Sequence, residues 1–324
     1  MSHLQFVAVA ATHESSEVRP ALAGDVDPAF VTALARAQDA AGFDAVLAHD
    51  SASSLDAGVL AAQVLDATER MTVLVTHRPG VTAPTAVARQ LAALDAFHPG
   101  RVGVHVPAVD SDREAQRDGD WVERAGRQRR RAEFAEILRR IWTSDRPFDF
   151  AGEFYTIAAN WTPIRPARTV TLHASGASEV ADEFGASYAD TYFLPSLPAR
   201  ELSARITAAS AHAAGAGRSL LFGLRLRPVL AATRAAAQDY AQRVARVHRT
   251  SFDSPTRALR AVTGEVAGAG SLVGTPAEVA AALDSYRALG IGAVRLAGWE
   301  TLSDVALHAE LIERCAGREI RPAV

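Results

Sequence analysis

The stretch from 71 to 106 constrains the fold of this chain more than any other. It contains a β-branched run at 72–76, a break at 78–80, an alanine- and leucine-rich segment at 84–97 and a valine-rich run at 102–106. Two strands joined this closely through a helix run parallel, and helices cover both faces of a parallel sheet. The sequence therefore predicts an α/β protein whose functional groups lie at the carboxyl ends of its strands, here near Thr76, His77 and 106–109.

Length and charge narrow the class of protein. The chain has 324 residues, of which 48% are hydrophobic, enough for one large α/β domain or two smaller ones. A net charge of -3 argues against a nucleic-acid partner, which usually meets a basic surface. No apolar run reaches about 18 residues and no basic-then-apolar leader opens the chain, so we expect a cytoplasmic protein without membrane contact.

The composition also excludes several kinds of chemistry. All 34 basic residues are arginine, so neither a Schiff-base lysine nor a phosphate-loop lysine is available. The single cysteine, Cys315, excludes an internal disulfide and a cysteine-rich metal site. The ten histidines show no metal-ligand spacing, and we expect no metal.

Strand and helix patterns alternate along nearly the whole chain. Strands are predicted at 4–10, 44–49, 72–76, 102–106, 170–174, 189–194, 220–227 and 292–297, and helices at 28–41, 55–67, 84–97, 130–142, 179–186, 199–214, 233–247, 276–289 and 302–314. No glycine-rich dinucleotide turn follows the first strand, so eight alternating strands favour a closed (β/α)8 TIM barrel over an open sheet.

Three segments depart from this alternation. The segment 107–125 is polar and is predicted to be irregular, and 148–157 is predicted to be a hairpin with Gly152 in its turn. The glycine-containing span 248–272 does not fit the alternation, and we interpret it as an insertion that forms a mobile lid.

The strand predicted at 220–227 carries two arginines on one face. Side chains alternate along a strand, so Gly223, Arg225 and Arg227 share the face opposite the leucines and point toward the barrel mouth. Two guanidinium groups in one pocket suit a phosphate, sulfonate or carboxylate. The alternative is a structural ion pair with a carboxylate on a neighbouring strand.

Two further segments suggest anion binding. The small-residue loop within 172–180 precedes a helix, where backbone N–H groups with Ser175 and Ser178 can donate to an anion, although a plain helix cap by Ser178 explains the pattern as well. The arginine-rich run 127–131 follows several acidic residues, so a solvated charged loop is the favoured interpretation.

Several of these segments together resemble a known family. The motifs are THRPGVTAPTAVARQLAALD, GRVGVHV, AEFAEILRRIW, SGAS, FGLRLR and LVGTPAEVAAALDSYRALGIGAVRLAGW. They resemble the bacterial luciferase-like flavin monooxygenases, and within them the alkanesulfonate monooxygenase branch, in consistent order over 4–312. The resemblance implies a single (β/α)8 domain over 1–324, commonly a homodimer. It also implies that reduced FMN comes from a separate flavin reductase, and that a flavin peroxide formed with oxygen oxidises a small-molecule substrate.

The resemblance implies catalytic roles for individual residues. Ser54 falls at the active-site cysteine of that branch, Arg225 at its first arginine on strand seven, and Arg227 at the histidine two residues later. Trp299 takes the place of a late tyrosine. These four residues, all at strand ends, are expected to line the substrate side of the flavin.

The resemblance implies a flavin-binding set as well. Ala108 falls in the family's turn after strand four, Arg124 and Gln128 at a histidine and a tyrosine, and 175–178 at a Gly-Gly-Ser-Ser loop. The complete predicted set is His77, Ala108, Arg124, Gln128, Ser175, Gly176, Ala177 and Ser178. We expect the FMN phosphate to lie between the 175–178 loop and the segment holding Arg124 and Gln128.

Different functional interpretations follow from these positions. The first is a two-component FMN-dependent monooxygenase with an altered substrate. The second is a non-catalytic barrel that supports a partner or binds a ligand without turnover. A deazaflavin-dependent relative would share the same fold.

Overall fold

The computed structural model describes residues 3–15, 26–109, 111–249, 272–296 and 301–316. Its strands are β1 (Gln5–Val9), β2 (Ala45–Ala48), β3 (Thr72–Thr76), β4 (Val102–Pro107), β5 (Phe148–Ala151), β6 (Thr156–Asn160), β7 (Thr171–Ser175), β8 (Thr191–Pro195), β9 (Leu221–Leu226), β10 (Val229–Leu230), β11 (Val273–Gly274) and β12 (Ile291–Leu296). Its helices are α1 (Pro28–Ala40), α2 (Ala57–Ala67), α3 (Pro84–Phe97), α4 (Asp112–Arg117), α5 (Arg124–Thr143), α6 (Glu179–Tyr188), α7 (Ala199–Gly215), α8 (Arg234–Arg249), α9 (Pro276–Ala288) and α10 (Leu302–Ala316).

Eight strands close into a parallel barrel in the order β1-β12-β9-β8-β7-β4-β3-β2. In the unit β3-α3-β4, β3 and α3 have the predicted bounds and β4 ends one residue later than predicted, at Pro107. Val73 lies level with Val102 and Thr76 with His105 across the two strands. Because each crossover through a helix places neighbouring strands parallel, all eight carboxyl ends meet at one rim. The predicted (β/α)8 TIM barrel is confirmed.

Capping residues set the beginnings of several barrel helices. Thr275 and Glu278 form a reciprocal capping box at the start of α9. Asp27 accepts hydrogen bonds from two backbone N–H groups of α1, and Asp56 accepts one from α2. These side chains satisfy donors that the first helical turn cannot pair internally.

The period of two along each strand divides the core into two layers. Valines and leucines that point outward, such as Val73, Val104 and Leu224, pack with the helices in the main hydrophobic cluster. A second cluster fills the barrel and consists of Val7, Ala45, Leu47, Leu74, Phe193 and Ala293. The barrel is therefore filled with side chains at mid-height and is not an open pore.

The segment 107–125, predicted to be irregular, is more ordered than its polar composition indicated. Ser111 accepts a hydrogen bond from the Glu114 N–H at 3.2 Å and so starts α4. The helix predicted from 130 begins at Arg124 instead. Both differences arise because arginines of α5 form ion pairs with the acidic residues that precede them.

The remaining departures from the alternation have different outcomes. The hairpin β5–β6 is antiparallel as predicted, and the Gly152 N–H donates to the Tyr155 carbonyl oxygen at 2.9 Å in its turn. The pairing of β10 with β11 was not predicted, because two-residue strands are too short to alternate. Most of the lid predicted at 248–272 lies outside the described residues.

Within the described part of the chain, none of the helices is long and apolar enough to cross a membrane.

Candidate active site

The barrel interior changes from apolar to polar toward the carboxyl ends of the strands. Two residues beyond Leu74, Gly223 and Ala293 of the filled layer, the same inward faces carry Thr76, Arg225 and Arg295. On the neighbouring strands the inward faces carry His105 and Ser175. Polar groups from five strands thus converge at the rim where TIM-barrel enzymes place their chemistry.

His105 lies at the centre of this polar layer and is 3% exposed. Its Nδ1 lies 3.2 Å from the Thr76 hydroxyl, and its Nε2 lies 3.0 Å from the Ser175 hydroxyl. Burial, followed by the positive charge of Arg295, lowers the pKa of His105 well below its usual range. At neutral pH the ring is therefore neutral, and it joins β3, β4 and β7 through two hydroxyl contacts.

Two guanidinium groups lie side by side on adjacent strands. Arg225 of β9 pairs in register with Arg295 of β12, and both side chains are partly buried. Burial and the neighbouring Arg225 lower the pKa of Arg295 to about 9, so Arg295 stays positive at neutral pH. The Arg295 guanidinium carbon lies 5.6 Å from the centre of the Phe193 ring.

Arg227 was predicted to share the inward face with Arg225, and its place in the structure is at the rim. It lies one residue beyond the end of β9 and is exposed. The second arginine inside the barrel is Arg295, which the sequence interpretation did not select. The only sequence feature that sets Arg295 apart is its charge in an otherwise apolar strand. Its neighbour Arg225 lies far from it along the chain, so the sequence pattern does not connect the two.

The predicted phosphate loop is assembled at the end of β7. The Ala108 N–H donates to the Ser175 carbonyl oxygen at 3.0 Å, which ties the turn after β4 to this loop. A Cβ on Gly176 would lie 2.2 Å from the Ala181 Cβ, so the loop needs glycine there to lie close to α6. Ser178 caps α6 by accepting from the Ala181 N–H at 3.4 Å, as the capping interpretation predicted.

The structure brings Arg124, Gln128 and Ser178 to the wall of one cleft of about 1040 Å³ between α5 and α6. The cleft lies on the helical side of the barrel wall, next to the 175–178 loop. Arg124 is exposed in the first turn of α5. The side-chain oxygen and nitrogen of Gln128 are both buried without a hydrogen-bond partner. An unpaired buried amide costs about 1 to 3 kcal/mol of stability. The Gln128 amide can therefore form hydrogen bonds with a polar group that binds in this cleft.

The arginine-rich run 127–131 is not the solvated loop that the sequence favoured. It lies on α5, and Arg127 is 5% exposed, with its guanidinium 2.5 Å from Asp112 and 3.1 Å from the Val109 carbonyl oxygen. Arg130 is likewise buried and pairs with Asp120. The preceding carboxylates fold back onto the helix, and the paired charges can then be buried.

Arg131, the last residue of that run, is 1% exposed and points toward the barrel. It donates to the Val106 carbonyl oxygen at 2.5 Å, and its guanidinium carbon lies 3.6 Å from the centre of the Phe184 ring. It therefore connects α5, β4 and α6 beneath the cleft.

Three other predicted residues have different surroundings. His77 is 8% exposed, its Nε2 has no hydrogen-bond partner, and burial lowers its pKa to about 4. Ser54 is exposed after β2, where its hydroxyl accepts from the Ser51 N–H at 2.8 Å. Trp299 lies outside the described residues.

Comparison with known proteins identifies the family. The family model described as luciferase-like monooxygenase matches residues 4–293, which is most of the chain. The chain belongs to the luciferase-like monooxygenase family. The barrel of this family member therefore contains the neutral His105, the Arg225–Arg295 pair and the cleft beside the 175–178 loop.

Solved structures of similar fold cover nearly the whole chain. EDTA monooxygenase (EmoA) from Chelativorans sp. BNC1 is 14% identical over 99% of this chain and 95% of that chain, with a TM-score of 0.79. Long-chain alkane monooxygenase (LadA) is 16% identical over 98% and 91%, with a TM-score of 0.78. An F420-dependent secondary alcohol dehydrogenase, in complex with an F420-acetone adduct, is 19% identical over 97% and 99%, with a TM-score of 0.73. At these identities the similarity shows the fold alone, and one fold can carry different activities.

Proposed function

We propose that this protein is the oxygenase component of a two-component flavin-dependent monooxygenase. It takes reduced FMN from a separate flavin reductase and uses molecular oxygen to oxidise a small organic substrate. Within the luciferase-like family, the motifs around Arg225 and the 175–178 loop favour the alkanesulfonate monooxygenase branch. We further propose that the whole chain 1–324 forms one catalytic domain and acts in the cytoplasm as a homodimer.

The observation that carries this proposal is the cleft lined by Arg124, Gln128 and Ser178. A phosphate there would receive hydrogen bonds from the Arg124 guanidinium and from free N–H groups at the start of α6. The unpaired Gln128 amide would gain a partner. The donor set therefore fits the phosphate end of FMN, with Ser175, Gly176 and Ala177 forming the loop beside it.

Ala108 and His77 are the residues proposed to hold the ring system of the flavin. Bound there, the reduced flavin supplies the electrons and the oxygen-activating chemistry. The unpaired Nε2 of His77 provides a neutral polar contact. His105 keeps Thr76 and Ser175 in place and, being neutral, adds no charge to this wall.

The substrate side is proposed to be lined by Ser54, Arg225, Arg227 and Trp299. Arg225 holds positive charge in a partly dry site, where it stabilises negative charge that develops during oxidation. The Ser54 hydroxyl can donate a hydrogen bond, but it is a weak proton donor near neutral pH. The protein thus contributes positioning, positive charge and exclusion of water, while the flavin contributes the redox chemistry.

A fluorescence titration of the purified protein tests this proposal. Oxidised FMN, reduced FMN under anaerobic conditions and the deazaflavin F420 are added separately, and binding is followed by flavin or protein emission. Saturable binding with preference for reduced FMN is expected. Binding of F420 alone would favour the deazaflavin alternative, which has the same fold. Absence of binding by all three would favour a non-catalytic barrel.

A further inference from the structure

The cleft between α5 and α6 is much larger than the phosphate that we place at one end of it. Its volume is about 1040 Å³. Sites for whole small molecules measure about 300 to 1,000 Å³. Arg124 and Ser178 line the end beside the 175–178 loop, and the walls continue past Phe184 and Tyr188 to His212 of α7. The space beyond the phosphate can therefore hold a further chemical group.

Gln128 indicates that this group donates hydrogen bonds as well as accepting them. It lies about one helical turn beyond Arg124 on α5. Among the described residues, neither the oxygen nor the nitrogen of its buried carboxamide has a hydrogen-bond partner. An ionised phosphate presents acceptor oxygens, so it can accept from the Gln128 nitrogen but cannot satisfy the carbonyl oxygen. That oxygen requires an N–H or O–H donor from the ligand.

A ligand edge with a donor beside an acceptor would satisfy both atoms of the carboxamide. Adenine presents this pair, a 6-amino group next to a ring nitrogen, and glutamine binds it through two hydrogen bonds in nucleic-acid complexes. Phe184 and Tyr188 stack with ring centres 5.1 Å apart in the α6 wall of the cleft, which suits a flat ring. A ribityl hydroxyl also supplies a donor, but it uses neither the aromatic wall nor the remaining volume.

The charged residues of the cleft suit a nucleoside that carries a phosphate. Arg124 and the backbone N–H groups at the start of α6 lie at the loop end, where an anion is favoured. Glu179 and Glu183 of α6 also line the cleft and are exposed. Carboxylates accept hydrogen bonds from ribose hydroxyls, as they do in dinucleotide-binding folds. Their negative charge also opposes a ligand tail with many anionic groups.

We infer that the cleft binds the adenosine 5′-phosphate part of a nucleotide, with the base at Gln128 and the phosphate at Arg124. This part belongs either to a free adenine nucleotide or to FAD, whose other half is a flavin. The inference rests on the proposed function only for FAD, because a free adenine nucleotide binds without any flavin.

Calorimetric titration of the full-length protein without FMN tests the inference. The probes are AMP, inorganic phosphate and purine riboside 5′-phosphate, which differs from AMP only in lacking the 6-amino group. We expect saturable binding of AMP and binding at least about tenfold weaker for the other two, because the Gln128 oxygen then stays without a donor.

Separate titrations with FAD and oxidised FMN distinguish the two sources of the adenosine phosphate. Affinity for FAD at least about tenfold higher than for FMN would identify FAD, because its adenylate half adds contacts in the cleft. Saturable AMP binding together with equal affinities for FAD and FMN would identify a free adenine nucleotide.

Variants locate the base within the cleft. Gln128→Leu should bind AMP about tenfold more weakly and should no longer distinguish AMP from purine riboside 5′-phosphate. A role in packing alone would leave that ratio as it is in the parent. Gln242→Leu, the same substitution at an exposed position of α8, should bind AMP as the parent does. Circular dichroism checks that both variants are folded, and the ratio measured in the parent depends on neither variant.

Several results would overturn the inference. These are no saturable binding of AMP by the parent, equal affinity of the parent for AMP and purine riboside 5′-phosphate, or a parental preference for AMP in the folded Gln128→Leu variant. Equal affinity for AMP and inorganic phosphate would reduce the cleft to a phosphate site. Failure of the proposed function looks different, since AMP would then bind while FMN does not.

Discussion

Arg124 is exposed at the start of α5, yet it lines the cleft in which we place the phosphate of FMN. Arg124→Ala should weaken FMN binding by about 1 to 3 kcal/mol, the range for a hydrogen bond to a charged group. Anaerobic titration of reduced FMN measures the change. Arg89→Ala, an equal truncation on the exposed side of α3, is the control, and equal affinity in the two variants would remove the phosphate from this cleft.

Gln128 gives a second residue-level test, because its amide is buried and unpaired. Gln128→Leu removes the unsatisfied polar atoms while it preserves most of the volume. We expect the free energy of unfolding to rise by about 1 kcal/mol, since a desolvation penalty is removed, and FMN binding to weaken. Urea unfolding and flavin titration measure the two effects. A destabilised variant with parental flavin affinity would show that the amide serves packing only.

At the scale of single elements, α4 is held by side-chain ion pairs of Asp112 and Asp118. Asp118, at the end of α4, pairs with the buried Arg78. Asp118→Asn should weaken that contact by about 1 to 3 kcal/mol and raise amide exchange rates in α4 by about tenfold or more. Hydrogen exchange with mass spectrometry measures this change.

Asp145→Asn is the control for that experiment, because Asp145 pairs with Arg165 while its side chain is 88% exposed. Such surface pairs contribute about 0 to 1 kcal/mol. Unchanged exchange in α4 after Asp118→Asn would mean that the remaining contacts of Arg78 and Arg127 hold the helix without it.

The packing of α10 against the barrel predicts a pH effect. His308 is 7% exposed, contacts the Phe43 ring edge-on at 5.9 Å, and has its pKa lowered by burial to about 4. The unfolded chain binds this proton near pH 6.5 and the folded chain does not until about pH 4. The free energy of unfolding therefore falls as the pH is lowered through this window.

His308→Phe should reduce that pH dependence by up to one proton, about 1.4 kcal/mol per pH unit. Urea unfolding at several pH values between about 7 and 4 measures the slope. His77 and His173 also have pKa values of about 4, so part of the slope will persist. An unchanged slope in the variant would show that His308 does not titrate in this range.

Elements with strong local periodicity were predictable, and those governed by long-range pairing were not. The bounds of β3 and α3 follow from a β-branched run and from Pro84 at the start of a helix. The start of α5 was placed too late because its first turns are polar, and the burial of Arg127 depends on Asp112 folding back from α4. Such a contact has no signature in the pattern of either segment alone.

The whole barrel explains why the site was only partly predicted. Arg225 was selected from the alternation of its own strand, whereas Arg295 becomes significant only when barrel closure brings β9 and β12 into register. His105 likewise lies in a valine-rich strand, and its two hydroxyl partners come from β3 and β7. The family resemblance identified matched positions, but it could not assign roles to residues outside those matches.

For the molecule as a whole, we propose that the barrel binds a flavin by its phosphate beside the 175–178 loop. Anaerobic calorimetry with reduced FMN and with reduced riboflavin, which lacks the phosphate, tests this placement. We predict one reduced FMN per chain and binding of reduced riboflavin at least about tenfold weaker, the loss of one or more charge-assisted hydrogen bonds. Equal affinity for the two flavins, or binding of neither, would show that the phosphate does not bind beside the 175–178 loop.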